Sequence, residues 1–209
     1  MLDDLDARPG EIREIDDGLT LERIGEIREP NEEPEDGQAL VFGNPEAPLP
    51  AWRAALWEED GALACCARAL EYEKSRETIR QDALESGLFL PRCGVSLDDL
   101  PRLMEAYGDG RAVEQLHDAS ISDLGALLTD CSCVICTVSA CLLEEPGQPL
   151  WPGLDADCAV IVTALNMDDP LNVRVMLLHA ERSQPEMDVP LDVFMAAWQA
   201  GGRCAFGLG

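Results

Sequence analysis

Cys158-Ala159-Val160-Ile161-Val162-Thr163-Ala164-Leu165 is an unbroken apolar run, and Asn166-Met167-Asp168-Asp169-Pro170 follows it directly. A second apolar run, 173–179, comes next. Both are rich in Val, Leu and Ile, the composition of buried strands. The short Asn/Asp/Pro segment between them supplies the turn chemistry of a hairpin, so the two runs are predicted to pair antiparallel.

The reading extends outward from this hairpin. A third β-prone run occupies 131–142. Downstream, Pro190-Leu191-Asp192-Val193-Phe194-Met195-Ala196-Ala197-Trp198 predicts a helix opened by proline, whose fixed φ suits a first turn. Gly201-Gly202 ends it, and Arg203-Cys204-Ala205-Phe206 is expected as a last edge strand. Upstream the periodicity is helical. Trp52, Leu56, Leu63, Cys66, Ala67 and Leu70 recur near helical spacing, which predicts a helix at 62–74. A second helix runs from Ser75 to Ser86 and is closed by Gly87, with Leu88-Phe89-Leu90-Pro91 leaving as a loop. Ser96-Leu97-Asp98-Asp99 carries a hydroxyl cap and first-turn carboxylates, and its helix ends near Gly108. Ser120 opens another capped helix, 120–128. Helices first, then an antiparallel sheet with one returning helix, is an α+β order.

The chain has 209 residues, with 15 Lys+Arg against 41 Asp+Glu, a net charge of −26. That balance excludes nucleic acid as an expected partner, because phosphate binding needs a basic patch. It also disfavours an anionic membrane surface. A hydrophobic fraction of 46% supports a real core. No apolar stretch reaches bilayer length, and Met1-Leu2-Asp3-Asp4 lacks the basic start of an export signal, so a cytoplasmic protein is expected. The nine cysteines, odd in number, are then expected as reduced thiols. Residues 1–37 hold 14 acidic residues and 4 Arg, a net −10, and the phrase Gly-Glu-Ile-Arg-Glu occurs at 10–14 and again at 25–29. They are read as an acidic arm, either a solvated tail with short ordered pieces or a segment that docks on a basic partner or on the chain's own domain. Residues 38–209 form the folded domain.

In that order, several phrases resemble a known family. Phe42-Gly43-Asn44-Pro45-Glu46-Ala47 with Trp52, then Cys66-Ala67, then Ser86-Gly87-Leu88 through Leu97-Asp98-Asp99-Leu100, then the strand from Cys158, then the helix from Pro190 resemble the papain-like bacterial double-glycine (bacteriocin-processing) peptidases. The resemblance covers about residues 41–206 and implies a papain-like fold, with N-terminal helices packed on an antiparallel sheet.

Chemistry of that kind needs a thiolate, an imidazole that activates it, a side chain that orients the imidazole, and a donor for the oxyanion. The resemblance assigns the thiol to Cys66, or to its neighbour Cys65. It puts the family's His on Cys158 and the family's Asn/Asp near His179. Where it expects a Gln, the chain offers Ala55, Glu58, Glu59 or Asp60. Without an imidazole a buried thiol stays protonated at neutral pH, with a pKa near or above about 8.5. The implied reading is a catalytically degenerate member with no catalytic residues. Trp57, Cys65, Cys66, Trp151 and Cys158 then line a binding cleft; Trp198 is a further candidate aromatic, with core packing the plain alternative for each Trp.

The remaining motifs point to no cofactor. Cys133 and Cys136, three apart on a strand, would face opposite ways, and Cys131 with Cys133 supplies only two thiols, so no zinc site is expected. Asp155, Asp157, Asp168 and Asp169 lack calcium-loop spacing and read as solvated acids. His117 lies in a polar stretch and reads as a surface residue. His179 reads as an edge or loop residue, or as a base displaced toward Cys66. The expected function is a non-catalytic peptide- or protein-binding module, a subunit or adaptor of a larger assembly with a protein or peptide partner, for which the acidic balance allows a basic one. An active cysteine peptidase with Cys66 and His179 is the alternative.

Overall fold

A computed structural model describes residues 40–45, 61–70, 75–91, 94–108, 110–131, 134–144, 157–179 and 186–209. The acidic arm lies outside the described residues, as do Ala55, Trp57, Glu58, Glu59, Asp60 and Trp151.

The strand from 158 is the spine of the molecule. Nine strands are described: β1 (Val41–Gly43), β2 (Phe89–Leu90), β3 (Gly94–Val95), β4 (Val113–Leu116), β5 (Val134–Ser139), β6 (Asp157–Asn166), β7 (Arg174–His179), β8 (Glu186–Pro190) and β9 (Ala205–Leu208). Seven of them form one antiparallel sheet in the order β4-β9-β5-β6-β7-β8, with β1 also on β6. The predicted hairpin is β6–β7, with Asn166 opposite Arg174. Its loop is tied by two Asx turns, Asp168 N–H to Asn166 Oδ1 and Leu171 N–H to Asp169 Oδ1, each 3.0 Å. β5 lies along Asp157–Val162 and β1 along Ala164–Asn166, so two strands share the length of β6. The register shift between Val162 and Ala164 falls where they meet.

The helices are α1 (Gly61–Ala69), α2 (Arg76–Glu85), α3 (Leu100–Tyr107), α4 (Ile121–Asp130), α5 (Ala140–Glu144) and α6 (Leu191–Ala200), with a 3-10 turn at Leu97–Asp99 leading into α3. They cover both faces of the sheet. On one face α1, α2 and α3, with Leu70 just past α1, bury Leu63, Leu70, Ile79, Leu103 and Met104 against Ile135, Ala159, Ile161, Leu178 and Phe206. α1 is the centre of that layer and is buried along nearly its whole length. On the other face α6 packs on β5, and α4 packs on β1, β6 and β9. Trp198, fully buried in α6, stacks on Phe194 with ring centroids 5.5 Å apart, and its Nε1–H donates to the Cys204 carbonyl at 2.9 Å. Truncating such an aromatic to Ala typically costs about 3–5 kcal/mol.

Several elements differ from the sequence reading. Residues 88–91 are not a plain loop: Phe89–Leu90 pairs with Gly94–Val95 in a two-stranded hairpin. Within the 131–142 run, Val134–Ser139 is strand and Ala140 onward turns into α5. The last strand is no edge; β9 lies between β4 and β5. The helix predicted from Pro190 begins at Leu191, because Pro190 closes β8 and caps the helix instead.

Candidate functional site

α1 carries the two thiols that the resemblance singled out. Cys66 is the sixth residue of the described helix, with no exposed surface, so it sits inside the helix rather than at its first turn. Cys65 is equally buried, and its Sγ donates to the Ala159 carbonyl at 3.5 Å. The side of α1 that holds Cys66 comes close to Tyr107 of α3. Burial, the hydrogen bond to Asp82, the Asp82 charge and Cys66 together push the Tyr107 hydroxyl well above its usual range. Cys66 thus belongs to the apolar cluster and lies near the protonated phenol of Tyr107.

Cys158 is placed elsewhere. Side chains alternate along a strand. Ala159 and Ile161 join the cluster around α1, so Cys158, Val160 and Val162 face the opposite layer. The register puts His179 across from Val160, on that same opposite face. Cys158 Sγ and His179 Nε2 are 3.9 Å apart, with Cys158 7% and His179 1% exposed. His179 is therefore a buried strand residue, correcting its reading as an edge or loop histidine. The sheet separates this thiol–imidazole pair from Cys66.

The chain has two histidines. The second, His117, follows β4 and is exposed; its Nδ1 is 3.3 Å from Cys204 Sγ and its Nε2 is 2.7 Å from Gln115 Nε2. His179 thus lies on the sheet face opposite Cys66, while His117 is set against Cys204. The His117–Cys204 contact was missed in the sequence, where His117 lies just past a short polar run with no strand signal of its own. What the sequence lacked was the pairing of β4 with β9. Leu116 opposite Ala205 brings His117 level with Cys204.

Cys131 and Cys136 are buried in the sheet layer. Burial pushes the Cys136 thiol far up, and Cys204 nearby adds to it. Cys131 is raised first by burial, then by Glu114 and Asp130. No cluster of three metal-ligating side chains occurs among the described residues. Asp168 and Asp169 are exposed hairpin residues. Trp198, a candidate cleft aromatic, is a core residue.

No family model matches the chain, and no curated protein matches it. Solved structures do match. One, a protein described as a C39-like peptidase from Bacillus anthracis, superposes with a TM-score of 0.57 at 13% identity, covering 81% of this chain and 97% of that one. At such identity the likeness shows the fold, which is α+β and papain-like.

Proposed function

We propose that the chain is a papain-like domain that works by binding a peptide or protein segment rather than by cleaving one. The observation that carries this reading is the placement of both imidazoles: His117 lies against Cys204, and His179 lies against Cys158 behind the sheet. Cys66, fully buried within α1, then lacks the exposure that a nucleophile requires. The alternative, an active peptidase with Cys66 as nucleophile and His179 as displaced base, needs the two side chains to meet through the sheet.

The charge gives the partner its chemistry. A net charge of −26, with −10 from residues 1–37 (4 Arg against 14 acidic), favours a basic segment and speeds its encounter. A role as subunit or adaptor of a larger cytoplasmic assembly fits the same features. Among the described residues no helix is long and apolar enough to cross a membrane.

The test is a pair of equal-length peptide pools, one basic and one acidic, titrated against the full chain by fluorescence anisotropy over a salt series. Basic peptides are expected to bind, to weaken with salt, to remain intact, and to bind Cys66→Ser equally well. Cleavage that Cys66→Ser abolishes would replace this reading with the active peptidase.

A further inference from the structure

The side of the sheet where β4 meets β9 holds a second thiol that the binding reading does not use. Cys204 is half-buried, whereas its partners His117 and Gln115 are exposed. Its sulfur lies 3.3 Å from His117 Nδ1, and the far nitrogen of that ring lies 2.7 Å from the Gln115 amide. An amide can turn about its last bond to present oxygen instead of nitrogen. With Gln115 Oε1 accepting from Nε2–H, the lone pair sits on Nδ1, facing the thiol. Thiol, imidazole and orienting amide then stand in line, the order that general-base activation of a nucleophile requires.

The backbone beneath this line is rigid. The Cys204 carbonyl accepts from Trp198 Nε1–H at 2.9 Å and from the Thr137 amide at 3.3 Å. Next to it, the Arg203 carbonyl accepts from the Ala119 amide at 3.1 Å, tying the segment after His117 to the segment before Cys204. Among the described residues, the non-glycine residues with positive φ are Asp118 (49°) and Arg203 (51°). Each directly neighbours one half of the pair, so strained backbone is concentrated where the thiol meets the ring.

We propose that Cys204, His117 and Gln115 form a thiol modification site, at which Cys204 exchanges with a neutral or positively charged low-molecular-weight disulfide. His117 Nδ1 takes the Sγ proton as the sulfur attacks one sulfur of the disulfide. A new S–S bond forms to Cys204 and the old one breaks. The departing thiolate collects the proton from the imidazole and leaves as a thiol. No net oxidant beyond the disulfide is needed. Cys204 is the nucleophile, His117 the base and Gln115 a positioning residue.

The charge preference follows from the neighbours. Burial pushes the Cys204 thiol up, a hydrogen bond from Thr137 pulls it partly back, and Asp98 and Asp118 push it up again. The thiol therefore depends on His117 to lose its proton near neutral pH, and the two carboxylates repel an anionic reagent. Arg203, the adjacent residue, is the local positive charge. This site is independent of the peptide-binding reading and stands or falls without it.

The test treats the full chain with cystamine, a cationic disulfide, and separately with oxidised glutathione, an anionic one. Adducts are mapped by peptide mass spectrometry over time. Cys204 is expected to be modified first, ahead of half-buried Cys141, and faster by cystamine, with the gap narrowing as salt rises. His117→Ala is expected to slow the reaction at neutral pH by about ten-fold or more. The difference closes at high pH, where the thiol ionises unaided. Gln115→Ala is expected to slow it less, with the same closure. Cys204→Ser, nearly the same size, serves as the mapping control and is expected to lose the fast adduct alone. Equal rates at Cys204 and Cys141, or a His117→Ala rate unchanged across the pH range, would overturn the assignment.

Discussion

Gly201 shows how little room the residues around α6 leave. A Cβ there would lie 2.3 Å from the Thr137 carbonyl oxygen and 2.8 Å from the Val138 nitrogen. Both belong to the backbone of β5, which cannot turn aside as a long side chain can. Gly201→Ala is expected to destabilise the domain by at least about 2 kcal/mol, read as a lower urea midpoint at unchanged slope. The buried thiols give a second prediction, in pH. Cys136 lies above its ordinary 9.0 in the folded chain because burial, and then Cys204, disfavour the thiolate. As pH rises past that ordinary value the unfolded thiol loses its proton first. The stability linked to the protonated thiol is thus whole below about pH 9 and is lost above it. Cys136→Val is expected to flatten the fall in urea midpoint between about pH 9 and about pH 11, and an unchanged slope would show that other groups govern it. At this scale the sequence was only partly legible. Cys65 and Cys66 were found, but burial and facing come from packing, which no local pattern encodes.

The elements with local signals were the readable ones. Ser120 carries a full capping box, its Oγ accepting from the Asp123 amide at 3.2 Å while Asp123 Oδ2 accepts from the Ser120 amide at 2.8 Å. Ser120→Ala is expected to cost about 1 kcal/mol, measurable by chemical denaturation. The 75–86 helix was also legible from its cap, with Ser75 Oγ accepting from the Thr78 amide at 3.1 Å. β6 and β7 declared themselves through continuous apolar runs and a turn of Asn, Asp and Pro. β4 (Val-Glu-Gln-Leu) and β8 (Glu-Met-Asp-Val-Pro) did not, because each is an outermost strand with polar residues. β1, only three residues long, is defined by its pairing with β6. β9 reads as an edge because it is a short run set apart from the other strands by the helix before it. Its interior place follows from β4 returning to its far side, a long-range pairing invisible to periodicity.

For the molecule as a whole, charge is the dominant global property. With 41 acidic residues against 15 basic ones, the excess negative charges repel one another. Raising salt from about 0.02 M to about 0.5 M is expected to raise the melting temperature through screening. A temperature that stays level would show that the charges are already locally compensated. The α+β order was legible in the change from helix-period segments in the first half to strand-prone runs in the second. The separation of Cys66 from His179 was not, since it depends on which face each strand residue presents once β6 is paired on both sides.

The most direct measurement is the native-state alkylation rate of each cysteine with iodoacetamide, mapped by mass spectrometry across pH. The account predicts that Cys66 is alkylated only as fast as the domain unfolds, rising steeply with urea. Rapid labelling of Cys66 in the folded chain, suppressed by His179→Ala, would contradict it.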